Sequence, residues 1–279
     1  MGLVVRDDGW RMPDWLWGEL EPLLPERPAH PLGCHNPRVP DRDAMDAILF
    51  VLRTGCQWSA LNATGICSSS SAHRRFQEWE RAGVFAELWR RGLLAYDERS
   101  GIEWEWLAMD GAMTKAPLGG GHTGPNPTDR AKKGAKRSLL TEGKGVPLGI
   151  ADEGANRNDH LLARVTIESI PIERPEPTLE RPQGLCLDAA YDNNEVRELA
   201  HEFGFTAHIR SRGEEKKLLA REAGFRARRW VVERTHSWLN RYRAILIRWS
   251  KKPENHLALL HLACALITWK ATIAEPLPG

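Results

Sequence analysis

The chain has 279 residues, 42% of them hydrophobic and 27% charged, with a net charge of +2. This excludes a disordered or fibrous chain and allows one large domain or two ordinary ones. The charge is uneven. Residues 207–252 hold fourteen Lys or Arg against four Asp or Glu, a local balance of +10 that leaves −8 for the rest. Such a stretch points to a polyanion partner such as nucleic acid, or to pairing with the acidic half of the same protein.

The start, MGLVVRDDGWRMPDW, carries early acids and no long apolar core, so no secretory signal is expected. Residues 10–25 read as a short amphipathic helix, with Asp14 as its cap and Leu16, Leu20 and Leu24 on its apolar face. Residues 26–40 read as loop. Asp41 or Asp43 can cap a helix with apolar residues at 44, 45, 48, 49 and 52, ending near Gly55. A run of serines then opens one or two helices through Phe76, Trp79, Phe85, Leu88 and Trp89, interrupted by Gly83. Residues 1–97 therefore read as all-helical. His73, Arg74 and Arg75 near the start of a second helix fit a helix-turn-helix in a DNA major groove, or a plain packing module.

The pattern changes after residue 102. WEWLAMDGAMTKAPL alternates apolar and polar and reads as a strand containing Asp110. A Gly- and Pro-rich loop follows, with a basic tail: Arg130, Lys132, Lys133, Lys136 and Arg137. SLLTEGKGVPLGIADEGAN reads as two strands round a Gly-Lys-Gly turn. Asp159 is expected to cap a helix over 159–169. GLCLDAAYDN reads as a strand ending in Asp188, NEVRELAHEFGF as a helix capped by Asp192, TAHIRS as a strand and 213–224 as a charged helix.

Residues 226–249 read as one helix with an apolar stripe of Val231, Trp238, Tyr242, Ile245 and Trp249. Glu233 stands among its arginines, either as a surface partner of Arg229 four residues away or as a functional acid. The last helix, 254–271, is apolar all round, and its best run is too short for a membrane span, so no membrane partner is expected. The order strand, strand, strand, helix, strand, helix, strand, helix implies an α/β fold: a mixed sheet flanked by helices. Five cysteines, at 34, 56, 67, 186 and 264, form no CxxC pair and read as reduced thiols of a cytosolic protein.

Two aspartates follow apolar strand cores, Leu107-Ala108-Met109-Asp110 and Leu185-Cys186-Leu187-Asp188. An ionised carboxylate ending a buried strand is costly unless it is paired or bound to metal. With Glu233 they make a three-carboxylate oxygen set suited to Mg²⁺ or Mn²⁺. Two such ions support in-line phosphoryl displacement. Of the competing acids, Asp192 and Asp159 are expected at helix starts and Asp152 at a turn. His236, close to Glu233, is expected to be structural.

On these residues the chain resembles bacterial insertion-sequence transposases with a DDE domain, of the IS-five group within the IS-four-like superfamily. LEPLLP, DAILFVLRTGCQW and AHRRFQEWERAGVF resemble that group's N-terminal helical part. TGPNPTDRAKKGAKRSLLTEGKGVPLGI, GANRNDH, AYDNNEVRELAHEFGF, HIRSRGEEK, RRWVVERTHSWLNRYR and NHLALLHLACALITW resemble the rest. The resemblance implies a ribonuclease-H-like catalytic domain over 98–279 behind a helical DNA-binding domain over 1–97. It implies Asp110, Asp188 and Glu233 as catalytic metal ligands, with Mg²⁺ or Mn²⁺ as cofactor. Double-stranded DNA, as terminal inverted repeats and target, would be the partner, with a homodimer when two ends are synapsed and a cytoplasmic, nucleoid-associated location. Arg229, Arg234, Lys132, Lys133, Lys136, Arg137, Arg74 and Arg75 are the expected phosphate contacts. The signature Y-x2-R-x3-E-x6-K is met at Arg229 and Glu233, but Arg226 stands for its Tyr and Asn240 for its Lys. LNATGICSSSS also departs from the group's proline-containing turn. A transposase-derived repressor without catalysis and a nuclease acting on RNA–DNA hybrids are the alternatives.

Overall fold

The computed structural model describes residues 9–26, 38–209 and 230–273. Cys34, Arg226, Arg229 and the expected helix over 213–224 lie outside the described residues.

Four helices come first: α1 (Asp14–Leu20), α2 (Asp41–Thr54), α3 (Ser69–Arg81) and α4 (Val84–Ser100). Helix α2 buries Ala44, Met45, Ile48, Leu49 and Leu52, the positions its period predicts. It stops at Gly55, whose φ of +68° is a left-handed C-cap. A side chain at Gly55 would also meet the backbone of Arg243 at 2.9 Å. A second left-handed glycine, Gly83, divides α3 from α4. Ser68 caps α3 through Ser71 N–H. Fourteen residues separate α2 from α3 and include a 3-10 turn, Trp58–Ala63. This is longer than the three or four residues of a helix-turn-helix turn.

Then come β1 (Trp106–Lys115), the short β2 (Gly124–Pro125), β3 (Lys133–Thr141), β4 (Pro147–Gly154), α5 (His160–Glu168), β5 (Gln183–Leu187), α6 (Asn194–Glu202) and β6 (Phe205–Ile209). Strand β3 starts at Lys133, so most of the basic tail expected in a loop is strand. Ala135 and Leu139 there are buried. Strand β1 pairs antiparallel with β3 and parallel with β5; β3 pairs antiparallel with β4, and β5 parallel with β6. Leaving out the two-residue β2, the sheet runs β4-β3-β1-β5-β6. With β3 alone reversed, this is a ribonuclease-H-like sheet.

The stretch 226–249 is not one helix. Within it lie α7 (Trp230–Leu239) and α8 (Arg243–Leu246), parted by a turn. The turn breaks the expected stripe: Ile245 is buried, but Trp249 is 49% exposed. Helix α9 (Pro253–Ile273) is long and apolar enough to cross a membrane, yet it is mostly buried in the protein. It packs along α4. Trp269 Nε1–H donates to Leu88 O at 3.0 Å and Trp89 Nε1–H to Pro147 O at 3.2 Å. One apolar core runs from Leu16 through Leu107 and Leu185 to Trp269. The expected boundary at 97/98 is therefore a change of element type, not a gap in the core.

Four helix starts differ from expectation: α1 and α2 have Pro13 and Pro40 at their N-caps with no side-chain cap, in place of Asp14 and of Asp41 or Asp43. Asn193, not Asp192, caps α6 by accepting from Val196 N–H at 2.8 Å, and Asp192 instead pairs with Arg197 at 2.6 Å. Asp159 makes no side-chain cap to α5. Lys136 Nζ, 2.9 Å away, holds it instead. Asp152 is buried against Arg248 at 3.2 Å rather than stabilising a surface turn.

Candidate acidic site on β1 and after β5

The site begins with sheet register. Leu107 pairs with Leu185 and Ala108 with Cys186. Two residues beyond the last pair come Asp110, still within β1, and Asp188, the residue just after β5. Neighbouring strands lie about 4.8 Å apart. The chain leaves β1 for β3 and β4 on one side and returns as β5 on the other. Both aspartates thus follow the point where the parallel β1–β5 pairing ends, beside the switch in strand order, the place at which open α/β sheets bind ligands. Asp188 Oδ1 accepts from Ala190 N–H at 2.8 Å, and Asp110 Oδ1 from Gly111 N–H at 2.9 Å. Both side chains are partly exposed.

Glu233 comes from α7, which packs against β1 and β3. Val231, Val232, Thr235, His236 and Leu239 form the buried face, and Glu233 is exposed beside it. The helix is seated by polar contacts. Thr235 Oγ1–H donates to Gly145 O at 2.7 Å, and Arg234 donates to Lys144 O. Gly145 has φ +94°, and a Cβ there would lie 2.9 Å from the Arg234 guanidinium.

Beneath the helix, Arg137 Nε–H donates to His236 Nδ1 at 3.2 Å. The proton of His236 therefore sits on Nε2, which donates to the carbonyl of Asp110 at 3.3 Å. Burial, with the Arg137 charge second, pushes His236 down to about 3, so the ring is neutral. Burial also pushes Arg137 down to about 10. Arg137 further donates to Asn240 Oδ1 at 2.7 Å. One chain of contacts thus ties the backbone of Asp110 to the helix turn after Glu233. Among the described residues, no three His, Cys, Asp or Glu side chains form a ready metal-binding group.

The expected phosphate contacts separate into two sets. Lys132, Lys133 and Arg74 are exposed. Arg234 is partly exposed, its guanidinium between Trp230 at 4.5 Å and Trp238 at 4.9 Å. In contrast, Lys136, Arg137 and Arg75 are buried. Lys136 donates to Asp159 and to Arg157 O. Arg75 is held by Asp41 at 3.1 Å and Glu78 at 2.7 Å. These three serve internal contacts instead of facing a duplex.

Sequence reasoning passed over Tyr191, fully buried three residues after Asp188, and Ser138, fully buried opposite Gly111. An aromatic residue in the otherwise small and polar stretch after Asp188 is the one trace of Tyr191 in the sequence; Ser138 leaves none.

Residues 12–89 match the family described as "Putative transposase of IS4/5 family", and residues 105–268 match "Transposase DDE domain". The chain is 38% identical over 149 residues to the Burkholderia cepacia protein described as "Putative transposase for insertion sequence element IS402", covering 53% of this chain and 68% of that one. It is 36% identical over 118 residues to a 16.2 kDa protein of the same element, covering 41% and 79%. Among solved structures, the catalytic domain of Mos1 mariner transposase aligns at 8% identity and TM-score 0.29, over 67% of this chain and 91% of that chain. The Mos1 paired-end complex with the left transposon end aligns at 13% and 0.29, over 88% and 82%. The fold is read from the sheet itself, not from these distant likenesses.

Proposed function

The chain belongs to the IS4/5 family of DDE transposases, and from that premise we propose that it cuts DNA at insertion-sequence ends and joins the freed 3′ hydroxyl to target DNA. Asp110, Asp188 and Glu233 are the proposed acid triad. The observation that supports this reading is the parallel β1–β5 register, which ends two residues before both Asp110 and Asp188, with the helix of Glu233 tied to the Asp110 carbonyl through His236.

The donors at that place are carboxylate oxygens, partly exposed and set on rigid elements. They fit a hard divalent cation that keeps several waters, Mg²⁺ or Mn²⁺. Asp110 and Asp188 would hold it between the strands, and Glu233 would complete the set from the helix. Such ions would supply Lewis acidity for activating a water and for stabilising the leaving oxygen. The Arg234 guanidinium, stiffened by its two tryptophans, suits a phosphate near Glu233. Exposed Lys132, Lys133 and Arg74 are proposed backbone contacts of the duplex. Arg229, expected beside Glu233, is proposed as a further phosphate contact, although it lies outside the described residues. Bringing two ends together calls for two copies, so the working form is proposed to be a homodimer on DNA, in the cytoplasm at the nucleoid.

The test is incubation with Mg²⁺ and a duplex carrying the element's terminal repeat, in parallel with an RNA–DNA hybrid. Cleavage of the repeat is expected. It should vanish in Asp110→Ala, Asp188→Ala and Glu233→Ala while end binding survives. Metal-dependent cleavage persisting in all three variants would sink the assignment. Binding without cleavage by the unaltered chain would make it a repressor.

A further inference from the structure

Residues 240–252, NRYRAILIRWSKK, follow the helix of Glu233 and contain five cations and no acid. Arg248 turns inward. Its guanidinium meets Asp152 at 3.2 Å and donates to the carbonyls of His122 and Ser250 at 2.8 and 3.1 Å. The other four, Arg241, Arg243, Lys251 and Lys252, are exposed, and none forms an ion pair among the described residues. Surface arginines elsewhere do: Arg90 holds Glu87, Arg164 holds Glu202 and Arg197 holds Asp192.

The segment is fixed, and it touches both parts of the molecule. On the sheet side, Thr114 Oγ1–H donates to Leu246 O, and Arg248 N–H donates to Lys115 O at 2.8 Å. Gly121 N–H donates to Lys251 O at 3.1 Å. On the other side α8 packs on α2, and the Arg243 backbone closes on Gly55. Three residues after Gly55, Trp58 meets His73 of α3 edge-on, with ring centroids 4.9 Å apart. Helix α9, which begins just after Lys252, packs on α3. Burial first and the Lys252 charge second hold the His73 imidazole below its ordinary value, in keeping with that approach. Arg74, the next residue on α3, is exposed.

We infer that this seam is a phosphate track: Arg241, Arg243, Lys251 and Lys252, with Arg74 from α3, hold the backbone of duplex DNA where the N-terminal helices meet the sheet. Four like charges without acids repel one another. A polyanion relieves that repulsion, and the counterions it releases drive the binding. Because the segment is already ordered, little freedom is lost when DNA arrives. Strand β1 runs five residues from Asp110 to Lys115, about 16 Å, so the track begins about half a turn of duplex from the acids. The seam takes the place of a recognition helix, for which the α2–α3 connection is too long. The two parts thus bind one duplex as a single surface, in keeping with their shared core. The inference rests on the DNA reading given above, but not on the metal chemistry.

The test measures binding of the full chain, without divalent metal, over a range of salt. One duplex carries the terminal repeat and the other an unrelated sequence. Changing Arg241, Arg243, Lys251 and Lys252 together to Gln should reduce the slope of log affinity against log salt by about 3 to 4, near one per lost phosphate contact. Arg74→Gln alone should reduce it by about 1. Tm should hold, because these side chains are exposed and unpaired. The same reduction with both duplexes is expected and makes the track a general one. A reduction with the terminal repeat alone upholds the track as a grip on the element's end, and one with the unrelated duplex alone as a grip on target. Arg164→Gln with Arg197→Gln removes two cations already held by acids and should leave the slope in place. An unchanged slope in the fourfold variant would overturn the inference, as would an equal change per charge in that control. If the unaltered chain binds neither duplex, the DNA reading itself fails. If it binds both and the fourfold variant binds them alike, only this inference falls.

Discussion

The proposed acidic site has two halves held by different physics. Asp110 and Asp188 each follow by two residues the last pair of two parallel strands, whose hydrogen bonds leave little freedom. Glu233 is placed by side chains: His236, Arg137, Thr235 and Asn240, seated on β1, β3 and the turn at Gly145. The first half can be lost only with the sheet. The second depends on a few buried polar contacts, and a buried polar network is costly when half satisfied. In the proposed site the strand pair would mark where the chemistry occurs, and the helix seat would decide whether the third acid is present.

The largest expected effect bears on the strand half. Asp110→Ala should lower cleavage by on the order of a thousandfold or more, the scale of several kcal/mol that a bound cation contributes. Tm should hardly fall, because the carboxylate is not a core group. Cleavage within tenfold of the unaltered chain would mean that register, however regular, does not mark the site.

His236→Leu probes the helix half. It removes the acceptor of Arg137 and the donor to Asp110 O together, leaving a buried guanidinium short of a partner. The expected cost is about 3 kcal/mol, since hydrogen bonds to charged groups are worth more than neutral ones. Cleavage should fall even at temperatures where the variant is fully folded, because the seat of Glu233 has shifted. Equal cleavage per folded molecule would show that α7 needs no such tie. Gly145→Ala should act in the same direction but less, about 1–3 kcal/mol. It meets both a positive φ and the 2.9 Å approach of Arg234. Its effect should appear in Tm and in cleavage alike, as the β3–β4 turn is what α7 rests on.

The same division explains what could be read from the residues alone. Strand β1 and strand β5 carry apolar cores ending in aspartate, a local pattern with period and punctuation, and both fell where expected. The order of strands and helices, the α2 stop at Gly55 and the all-apolar α9 were legible for the same reason. The break in 226–249 was not, because helical spacing of Val231, Trp238, Tyr242 and Ile245 persists across it while tertiary packing turns the chain at Asn240–Tyr242. Nor could the partners of Lys136, Arg137 and Arg75 be seen. Their carboxylate, imidazole and amide neighbours lie from three to more than a hundred residues away. A basic cluster looks the same in sequence whether its charges face phosphate or an internal Asp. Asp159 shows the converse: its place before α5 has the look of a cap, but Lys136 from another strand captures it.

The smallest expected effect comes from pH and separates the site from its scaffold. His236 belongs to the helix seat, whereas His261 stacks on Trp89 between α4 and α9. Burial pushes His261 down to about 4. Its unfolded value is about 6.5. The unfolded chain therefore takes up a proton that the folded chain refuses, and stability must fall as pH drops through this window. At pH 6 the loss from this one residue is about 0.8 kcal/mol relative to pH 8. Buried Asp46, Glu142 and Asp152, raised by desolvation, act with the opposite sign. They are common to both proteins when the unaltered chain is compared with His261→Phe, so they cancel in the difference. Chemical denaturation at pH 6 and pH 8 should show the variant losing less stability on acidification by that amount, with the pH profile of cleavage unmoved. A profile that moved with His261 would couple the scaffold to the helix seat and remove the distinction between them.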